Sequence, residues 1–192
     1  NFFYLWQDER MCAHLHLPLQ SGSADILKRM ARKTTPKDYQ RIVDEARAVV
    51  PNMAITTDVI VGFPGESDAE FEESLDYVRS IGFADGHVFT FSARPGTAAA
   101  RYSGQIHGKI KKERSVKMRA VFTESSYAYQ QAFIGQQARV LWENSAPDAQ
   151  GIWQMKGLTG NYLKITCAYP TNLWNTFRKV RISGFGEDGL LG

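Results

Sequence analysis

The residues with the clearest chemical potential lie in the stretch HLHLPLQSGS, residues 14–23. Two histidines and a glutamine alternate there with leucines, and alternate residues of a β-strand point to the same face of the sheet. We therefore predict that His14, His16 and Gln20 line the interior of a barrel. The leucines between them are expected to meet the surrounding helices.

The spacing of His14 and His16 fits a metal site, as in hydrolases that hold zinc on the first strand of a barrel. Further ligands would have to come from His87, His107 or the carboxylate of Asp58. The other interpretation, which we favour, is that the histidines are hydrogen-bonded interior residues of a polar barrel. A metal-dependent hydrolase using His14 and His16 stays open as an alternative function.

The carboxylate of Asp58 lies within AITTDVIVGF, residues 54–63, a β-branched run that is typical of a buried strand. Burying a carboxylate among apolar side chains is unfavourable unless it is hydrogen-bonded. A ribose diol and a cationic side chain are equally good partners on physical grounds. The glycine-rich GFPGES that follows could approach a nucleotide closely, or it could simply form a tight strand-to-helix turn.

These residues need a scaffold, and the hydrophobic pattern predicts strands that alternate with helices from residue 15 to about residue 121. Such alternation is typical of an α/β fold with a parallel sheet, in which functional residues lie at the carboxyl ends of the strands. The predicted order is strand 15–19, a helix capped by Ser23, a helix opened by Thr35 and Pro36, strand 54–63, a helix with a Ser67–Glu70 capping box, strand 87–92 and a helix over 109–133.

After residue 134 the pattern changes to short strand candidates separated by Gly, Asn and Pro, among them QARVLWE, GIWQMKG, NYLKITCA and FRKVRISG. Short strands with such turn residues are typical of a small β-barrel. We therefore predict two domains, an α/β domain over residues 1–134 and an all-β domain over residues 135–192.

Composition narrows the class of protein. The chain is 43% hydrophobic with a formal net charge of +3, which permits a nucleic-acid partner without requiring one. Cys12 and Cys167 form no CxxC-type pair, so we expect neither a disulfide nor a self-contained zinc site. No apolar run approaches the roughly 20 residues of a membrane span, and no leader is recognisable. We predict a cytoplasmic protein that does not bind membranes.

Five blocks taken together resemble radical SAM methylthiotransferases: HLHLPLQSGS, LKRMAR, ITTDVIVGFPGE, FEESLDYVRSIGF and HVFTFSARPGTAAA, in that order. The resemblance covers about residues 10–125, and the remainder is similar to the TRAM domain of those enzymes. The motifs HVFxxSxRPGTxAA, QIxxKIKKER and GLTGNYL most resemble the members that modify threonylcarbamoyladenosine in tRNA, rather than those that modify isopentenyladenosine or a ribosomal protein.

The resemblance implies the second half of a partial β/α barrel, followed by a TRAM-like barrel. It also implies S-adenosylmethionine (SAM) as a cofactor, which supplies a methyl group and a 5′-deoxyadenosyl radical, and a tRNA substrate methylthiolated at C2 of an adenosine beside the anticodon. The iron-sulfur clusters of the family need cysteine motifs that this chain lacks, since Cys12 and Cys167 cannot replace three thiolates. We therefore assign no catalytic residue and no metal ligand here.

Matching positions imply the principal SAM contacts. Gln20 and Asp58 are expected to face the SAM ribose, whose hydroxyls both donate and accept hydrogen bonds. Arg32 is expected to fork onto the SAM carboxylate, a geometry that favours arginine over lysine. The alternative for Arg32 is that it simply complements a helix dipole.

Further contacts follow from the same resemblance. Gly62 and Phe63 would present backbone edges to the adenine, and Ser21 is a weaker cofactor contact. Arg94 and Thr97 in the loop ARPGT either bind substrate or stabilise a turn.

A basic helix from Lys109 to Arg119 and the aromatic, basic all-β domain would bind RNA, because Lys and Arg contact phosphates while aromatic rings stack on bases. A solvated helix face is the alternative for the basic helix. Another alternative for the whole chain is an RNA-binding remnant without catalysis.

Overall fold

The computed structural model describes residues 2–192 and divides the chain into two compact units. Leu15–Tyr127 form an α/β unit, and the residues up to His14 join Ala128–Gly192 in an all-β unit. The assignment of residues 1–134 to half a radical SAM barrel and of 135–192 to a TRAM-like domain stays a prediction.

The α/β unit contains three strands and most of four helices. In chain order they are β1 (His14–His16), α1 (Ala24–Arg29), α2 (Pro36–Val49), β2 (Ala54–Val61), α3 (Asp68–Ile81), β3 (Asp85–Thr90) and α4 (Gly108–Gln131). The strands form a sheet in the order β1-β2-β3. β2 and β3 are parallel, with Asp58 opposite His87, so the predicted α/β fold with a parallel sheet is confirmed.

The first strand is shorter than expected. β1 ends at His16, and beyond it only Gln20 forms a parallel bridge, with Val59. Pro18 has no N–H for a ladder, and Gln20 adopts a left-handed backbone with φ of 73°. The strict alternation predicted for residues 14–20 is therefore wrong beyond His16.

Local capping signals decide where two of the helices begin. Thr35 opens α2 and Ser67 opens α3, as predicted. Each forms a reciprocal capping box, which the sequence predicted only for Ser67 and Glu70. Ser23 precedes α1, but its hydroxyl makes no capping hydrogen bond and is buried without a partner among residues 2–192. The predicted capping role of the Ser23 side chain is wrong.

The all-β unit begins with a 3₁₀ helix, Phe2–Gln7, and continues with six strands: β4 (Gln137–Pro147), β5 (Trp153–Thr159), β6 (Lys164–Tyr169), β7 (Phe177–Arg181), β8 (Gly184–Gly186) and β9 (Gly189–Leu191). They form one mixed sheet in the order β7-β4-β5-β6-β9-β8. Its core surrounds Trp142 and includes Val140, Met155 and Ile165. No helix within residues 2–192 is long and apolar enough to cross a bilayer.

Candidate cofactor site at the carboxyl ends of the parallel strands

Two of the three principal predicted ligand contacts line one cavity. Gln20 and Arg32 border a cavity of about 210 Å³ beside β1. Its other walls are mostly apolar: Leu17, Pro18, Leu19, Leu27, Thr34, Tyr39 and Ile42. An amide and a guanidinium set in apolar walls fit a ligand that carries both a carboxylate and apolar surface.

The backbone holds Gln20 firmly. Its N–H donates to the carbonyl of Asp58 at 2.8 Å, and its carbonyl accepts from the N–H of Ile60 at 2.8 Å. The positive φ of Gln20 costs free energy, so these two hydrogen bonds to β2 fix a conformation that the isolated dipeptide disfavours. The side chain is thereby placed at the end of β1 beside the cavity.

Tyr39 supplies the polar part of one cavity wall. Its hydroxyl donates to the carbonyl of Leu17 at 2.7 Å. Burial raises the pKa of Tyr39 to about 12, and the nearby Thr57 hydroxyl opposes that shift only in part. The hydroxyl therefore stays protonated at neutral pH and holds the chain just before Gln20.

Asp58, the third predicted contact, is not among the residues that line this cavity. Its carboxylate lies 3.4 Å from Nε2 of His16 and 3.4 Å from Nδ1 of His87. His16 is oriented by its Nδ1, 3.1 Å from the hydroxyl of Thr56. Asp58 thus has two imidazole partners. The sequence alone left its partner open between a cationic side chain and a ribose diol.

The two histidines of the metal hypothesis lie on the same short strand but contact different side chains. His14 belongs to the all-β unit, where its ring stacks on Tyr162, whereas His16 contacts Asp58 in the α/β unit. Across residues 2–192 no group of three or more His, Cys, Asp or Glu side chains could hold a metal ion. Neither histidine lines the cavity that Gln20 borders, so the structure does not bring the three side chains together as predicted.

The turn after β2 is organised by Glu66. The Glu66 carboxylate accepts hydrogen bonds from the N–H of Gly62 and, at 3.1 Å, from the N–H of Phe63, and the N–H of Glu66 donates to the Phe63 carbonyl. Of the backbone edges predicted to face an adenine, the N–H groups of Gly62 and Phe63 are therefore already used. The Phe63 ring is also buried, with edge contacts to Phe91 and Tyr102.

Helix α4 fixes this turn from the other side. Arg114 is buried and lies 3.6 Å from the Glu66 carboxylate, and it donates to the Glu66 carbonyl at 3.0 Å. Lys111 packs against Gly62, where a Cβ would collide with its side chain, and its Nζ donates to the Phe91 carbonyl at 2.9 Å. The carboxyl ends of β2 and β3 are thus held in place by one helix.

This role of α4 corrects the interpretation of the basic run from Lys109 to Arg119. Lys111 and Arg114 point into the α/β unit, and Lys117 pairs with Glu72 at 3.3 Å. Only part of the run is therefore available to RNA. The sequence contained Glu66 inside the motif GFPGE, but nothing in the spacing of KIKKER distinguished the buried arginine from the exposed lysines.

The remaining predicted contacts lie in turns. Ser21 is buried, and its hydroxyl accepts from the N–H of Ser23 at 3.2 Å. Arg94 is exposed, and its carbonyl accepts from the Thr97 hydroxyl at 2.8 Å. This hydrogen bond stabilises the turn at Gly96, which has a positive φ. Turn stabilisation is the second of the two roles predicted for Thr97.

Burial gives Glu66 a pH-dependent effect on stability. Burial raises its pKa above the ordinary value of 4.5, while Arg114 and the N–H groups of Gly62 and Phe63 oppose the shift. The folded state therefore binds this proton more tightly than the unfolded chain, and the contribution of Glu66 to stability declines as pH rises through its folded pKa.

We expect Glu66→Gln, which keeps an oxygen acceptor but does not titrate, to lack this decline. Urea unfolding at steps from about pH 4 to about pH 7 would measure it as the difference in unfolding free energy between the two proteins. A wild-type protein that gains stability relative to Glu66→Gln over this range would contradict the direction of the shift.

Comparisons with known proteins identify the family that this chain resembles. The family model of the Radical SAM superfamily matches residues 5–78. Threonylcarbamoyladenosine tRNA methylthiotransferase MtaB of Thermotoga maritima is 38% identical over 188 residues, which cover 96% of this chain and 41% of the relative. A tRNA-2-methylthio-N(6)-dimethylallyladenosine synthase of Oleidesulfovibrio alaskensis is 35% identical over 202 residues, covering 96% and 44%.

Among solved structures, coproporphyrinogen III oxidase (HemN) from Escherichia coli, described as a radical SAM enzyme, superposes with a TM-score of 0.55 at 15% identity. The superposition covers 85% of this chain and 42% of that one, and at this identity it concerns the fold alone. The chain spans about two fifths of the length of the two relatives above.

Proposed function

Since this chain belongs to the radical SAM methylthiotransferase family, we propose that it forms the part of such an enzyme that binds SAM beside its parallel strands and holds tRNA. The observation that carries the proposal is the cavity shared by Gln20 and Arg32 at the end of β1. Gln20 follows β1 and Arg32 follows α1, and both are side chains for which the resemblance implies contacts with SAM.

Each proposed SAM contact has a physical role. The Arg32 guanidinium pairs with the SAM carboxylate in a forked geometry, and the Gln20 amide bonds to a ribose hydroxyl. Asp58, which pairs with His16 and His87 and does not line this cavity, stays a proposed contact of the ribose. SAM supplies a methyl group and a deoxyadenosyl radical to this chemistry when bound.

The turn after β2 would support the adenine. With their N–H groups bonded to Glu66, Gly62 and Phe63 contribute the Gly62 carbonyl and the shape of a rigid turn rather than donors. Ser21 contributes by fixing the backbone next to Gln20. Arg94, which is exposed in the loop after β3, and Thr97, which holds that loop, stay proposed substrate contacts.

Iron-sulfur clusters do not fit the residues of this chain. Its only thiols are those of Cys12 and Cys167, whereas such clusters are held by three or four thiolates. We therefore derive no step through a cluster from these residues.

The proposed substrate is an adenosine of tRNA, methylthiolated at C2. Threonylcarbamoyladenosine is the proposed nucleoside, supported by the Thermotoga maritima relative, whose similarity extends over nearly the whole chain. The dimethylallyl (isopentenyl) derivative is the alternative, since other relatives are named for it.

The all-β unit offers a surface for the RNA. Arg139 on β4 stacks over the ring of Phe177 on β7 at 4.1 Å, and Lys179 lies directly opposite Arg139 in the strand register. Arg181, two residues further along β7, continues the same face. Exposed cations and an aromatic ring on one face are suited to phosphates and bases.

A chimera tests this proposal. In it, the portion of the Thermotoga maritima relative that matches this chain is replaced by residues 1–192, and the chimera is produced in cells that lack tRNA methylthiolation. Nucleoside mass spectrometry of the tRNA then reports the product. We expect a methylthio group on threonylcarbamoyladenosine. A methylthio group on dimethylallyladenosine would support the alternative. Absence of both products would contradict the proposal.

Variants of the same chimera test the cavity. Arg32→Ala is expected to raise the SAM concentration needed for half-maximal rate by about ten- to 100-fold, because a charge-assisted forked bond is lost. Arg32→Lys should recover only part of this effect. Arg41→Ala is the matched control, because Arg41 forms only an exposed pair with Glu45 on α2. It should leave the SAM dependence unchanged. Equal effects of the two alanine variants would remove Arg32 from the site.

A further inference from the structure

The turn between β5 and β6 contains a tyrosine in an unfavourable backbone conformation. The sequence there is TGNYL, residues 159–163, and Tyr162 has φ of 67°. Left-handed backbone is uncommon for residues other than glycine, asparagine and aspartate, and it is most costly for bulky side chains. Glycine at this position would be easier for the backbone, so the tyrosine ring needs another explanation.

The turn does not depend on that ring. The N–H of Thr159 donates to the Leu163 carbonyl at 3.0 Å, and the N–H of Leu163 donates to the Thr159 hydroxyl at 2.9 Å. The Thr159 hydroxyl also bonds to Oδ1 of Asn161 at 2.7 Å, and Nδ2 of Asn161 to the hydroxyl of Tyr129 at 3.1 Å. None of these bonds uses the Tyr162 side chain, so the hydrogen-bond network already specifies the fold of the turn.

The ring of Tyr162 instead forms part of an aromatic surface. It stacks on His14 with ring centroids 4.3 Å apart and an angle of 8° between the planes, and Tyr162 remains 44% exposed. Strained residues held in place by their surroundings cluster at functional sites. A flat, supported ring at the surface is the feature on which proteins stack unpaired bases.

A groove of about 220 Å³ begins two residues further along the chain. Lys164 and Thr166 of β6 line it together with Lys156 and Leu158, which lie directly opposite them on β5. Lys164 is exposed, and Lys156 pairs with Asp188 at 2.6 Å. Because Leu163 and Ile165 point into the core, Lys164 lies on the outer face. Glu143 and Asp188 also line this groove, and because Asp188 pairs with Lys156, Lys164 is the groove's lysine left for a phosphate next to a stacked base.

We propose that Tyr162, supported by His14, is a stacking platform for an unpaired base of an RNA, and that Lys164 binds the adjacent phosphate. This inference depends on the proposed tRNA substrate and extends it to a particular surface. Single-stranded loops offer unstacked bases, and aromatic stacking accepts any of them, so the platform fits a loop nucleotide rather than a duplex.

The test uses residues 1–192 and an RNA stem-loop with 2-aminopurine at one loop position at a time, since stacking quenches the fluorescence of this base. Tyr162→Gly removes the ring and also relieves the backbone strain, so the fold should be kept. We expect wild type and Tyr162→Phe to quench the probe, whereas Tyr162→Gly abolishes quenching and weakens binding about five- to 150-fold.

Two further variants complete the experiment. Tyr169→Ala, an equally exposed tyrosine on β6, should change neither quenching nor affinity. Lys164→Ala should weaken binding and reduce its dependence on salt concentration.

Unchanged binding by Tyr162→Gly, or equal loss in Tyr162→Phe and Tyr162→Gly, would overturn the platform while leaving an RNA substrate intact. Absence of RNA binding by every protein, even at low salt, would instead remove the proposed tRNA interaction together with the platform.

Discussion

Replacing Arg114 with alanine is expected to lower the free energy of unfolding by about 3–5 kcal/mol, because it leaves the buried Glu66 carboxylate without its cationic partner. The side chains of Arg114 and Glu66 are only 7% and 4% exposed. Arg114 also donates to the Glu66 carbonyl and to Asp68, so the change removes the bonds that tie α4 to the turn after β2. Urea unfolding followed by far-ultraviolet circular dichroism would measure the loss.

The same helix provides a matched control. Lys117 and Glu72 form a pair in which both side chains are more than half exposed, and Lys117→Ala should cost less than about 1 kcal/mol. Combining Arg114→Met with Glu66→Gln should be less destabilising than Arg114→Met alone, since no unpaired charge remains buried. If Arg114→Ala cost no more than Lys117→Ala, the buried pair would have no special role in holding the turn.

The parts of the fold that were predictable are those with strong local signals. The helix starts at Thr35 and Ser67 lie where predicted, because a hydroxyl and a carboxylate three residues apart satisfy the first N–H groups of a helix in any context. The strand predicted over residues 54–63 is observed as Ala54–Val61, since its β-branched residues fit a buried parallel strand.

Other features depend on contacts between distant residues, which periodicity does not reveal. The alternation of HLHLPLQ suggested one long strand, yet the strand ends at His16, before Pro18 and the left-handed Gln20, and its two histidines contact different partners. Asp58 required a partner by its chemistry, but only the fold could select two histidines. Arg114 had the composition of a solvated helix face and is buried because α4 lies across the turn at Glu66.

Truncating Trp142 to alanine is expected to destabilise the all-β unit by about 3–5 kcal/mol, because it opens a large cavity at the centre of the core. Trp142 is fully buried among Val140, Met155 and Ile165. Strand β5 passes so close that a Cβ at Gly157 would lie 2.8 Å from the Trp142 ring. The neighbouring backbone is therefore poorly able to collapse into the space, and calorimetric unfolding would measure the cost.

Phenylalanine at the same position separates volume from polarity. The Trp142 Nε1 is buried without a hydrogen-bond partner among residues 2–192, and an unsatisfied donor of this kind costs about 1–3 kcal/mol. Trp142→Phe removes that donor and leaves a smaller cavity, so we expect it to cost less than half as much as Trp142→Ala. Trp174→Ala, at a side chain that is 61% exposed, should change stability by about 0.5 kcal/mol or less. A phenylalanine variant as unstable as the alanine variant would mean that the indole nitrogen has a stabilising partner, such as a buried water.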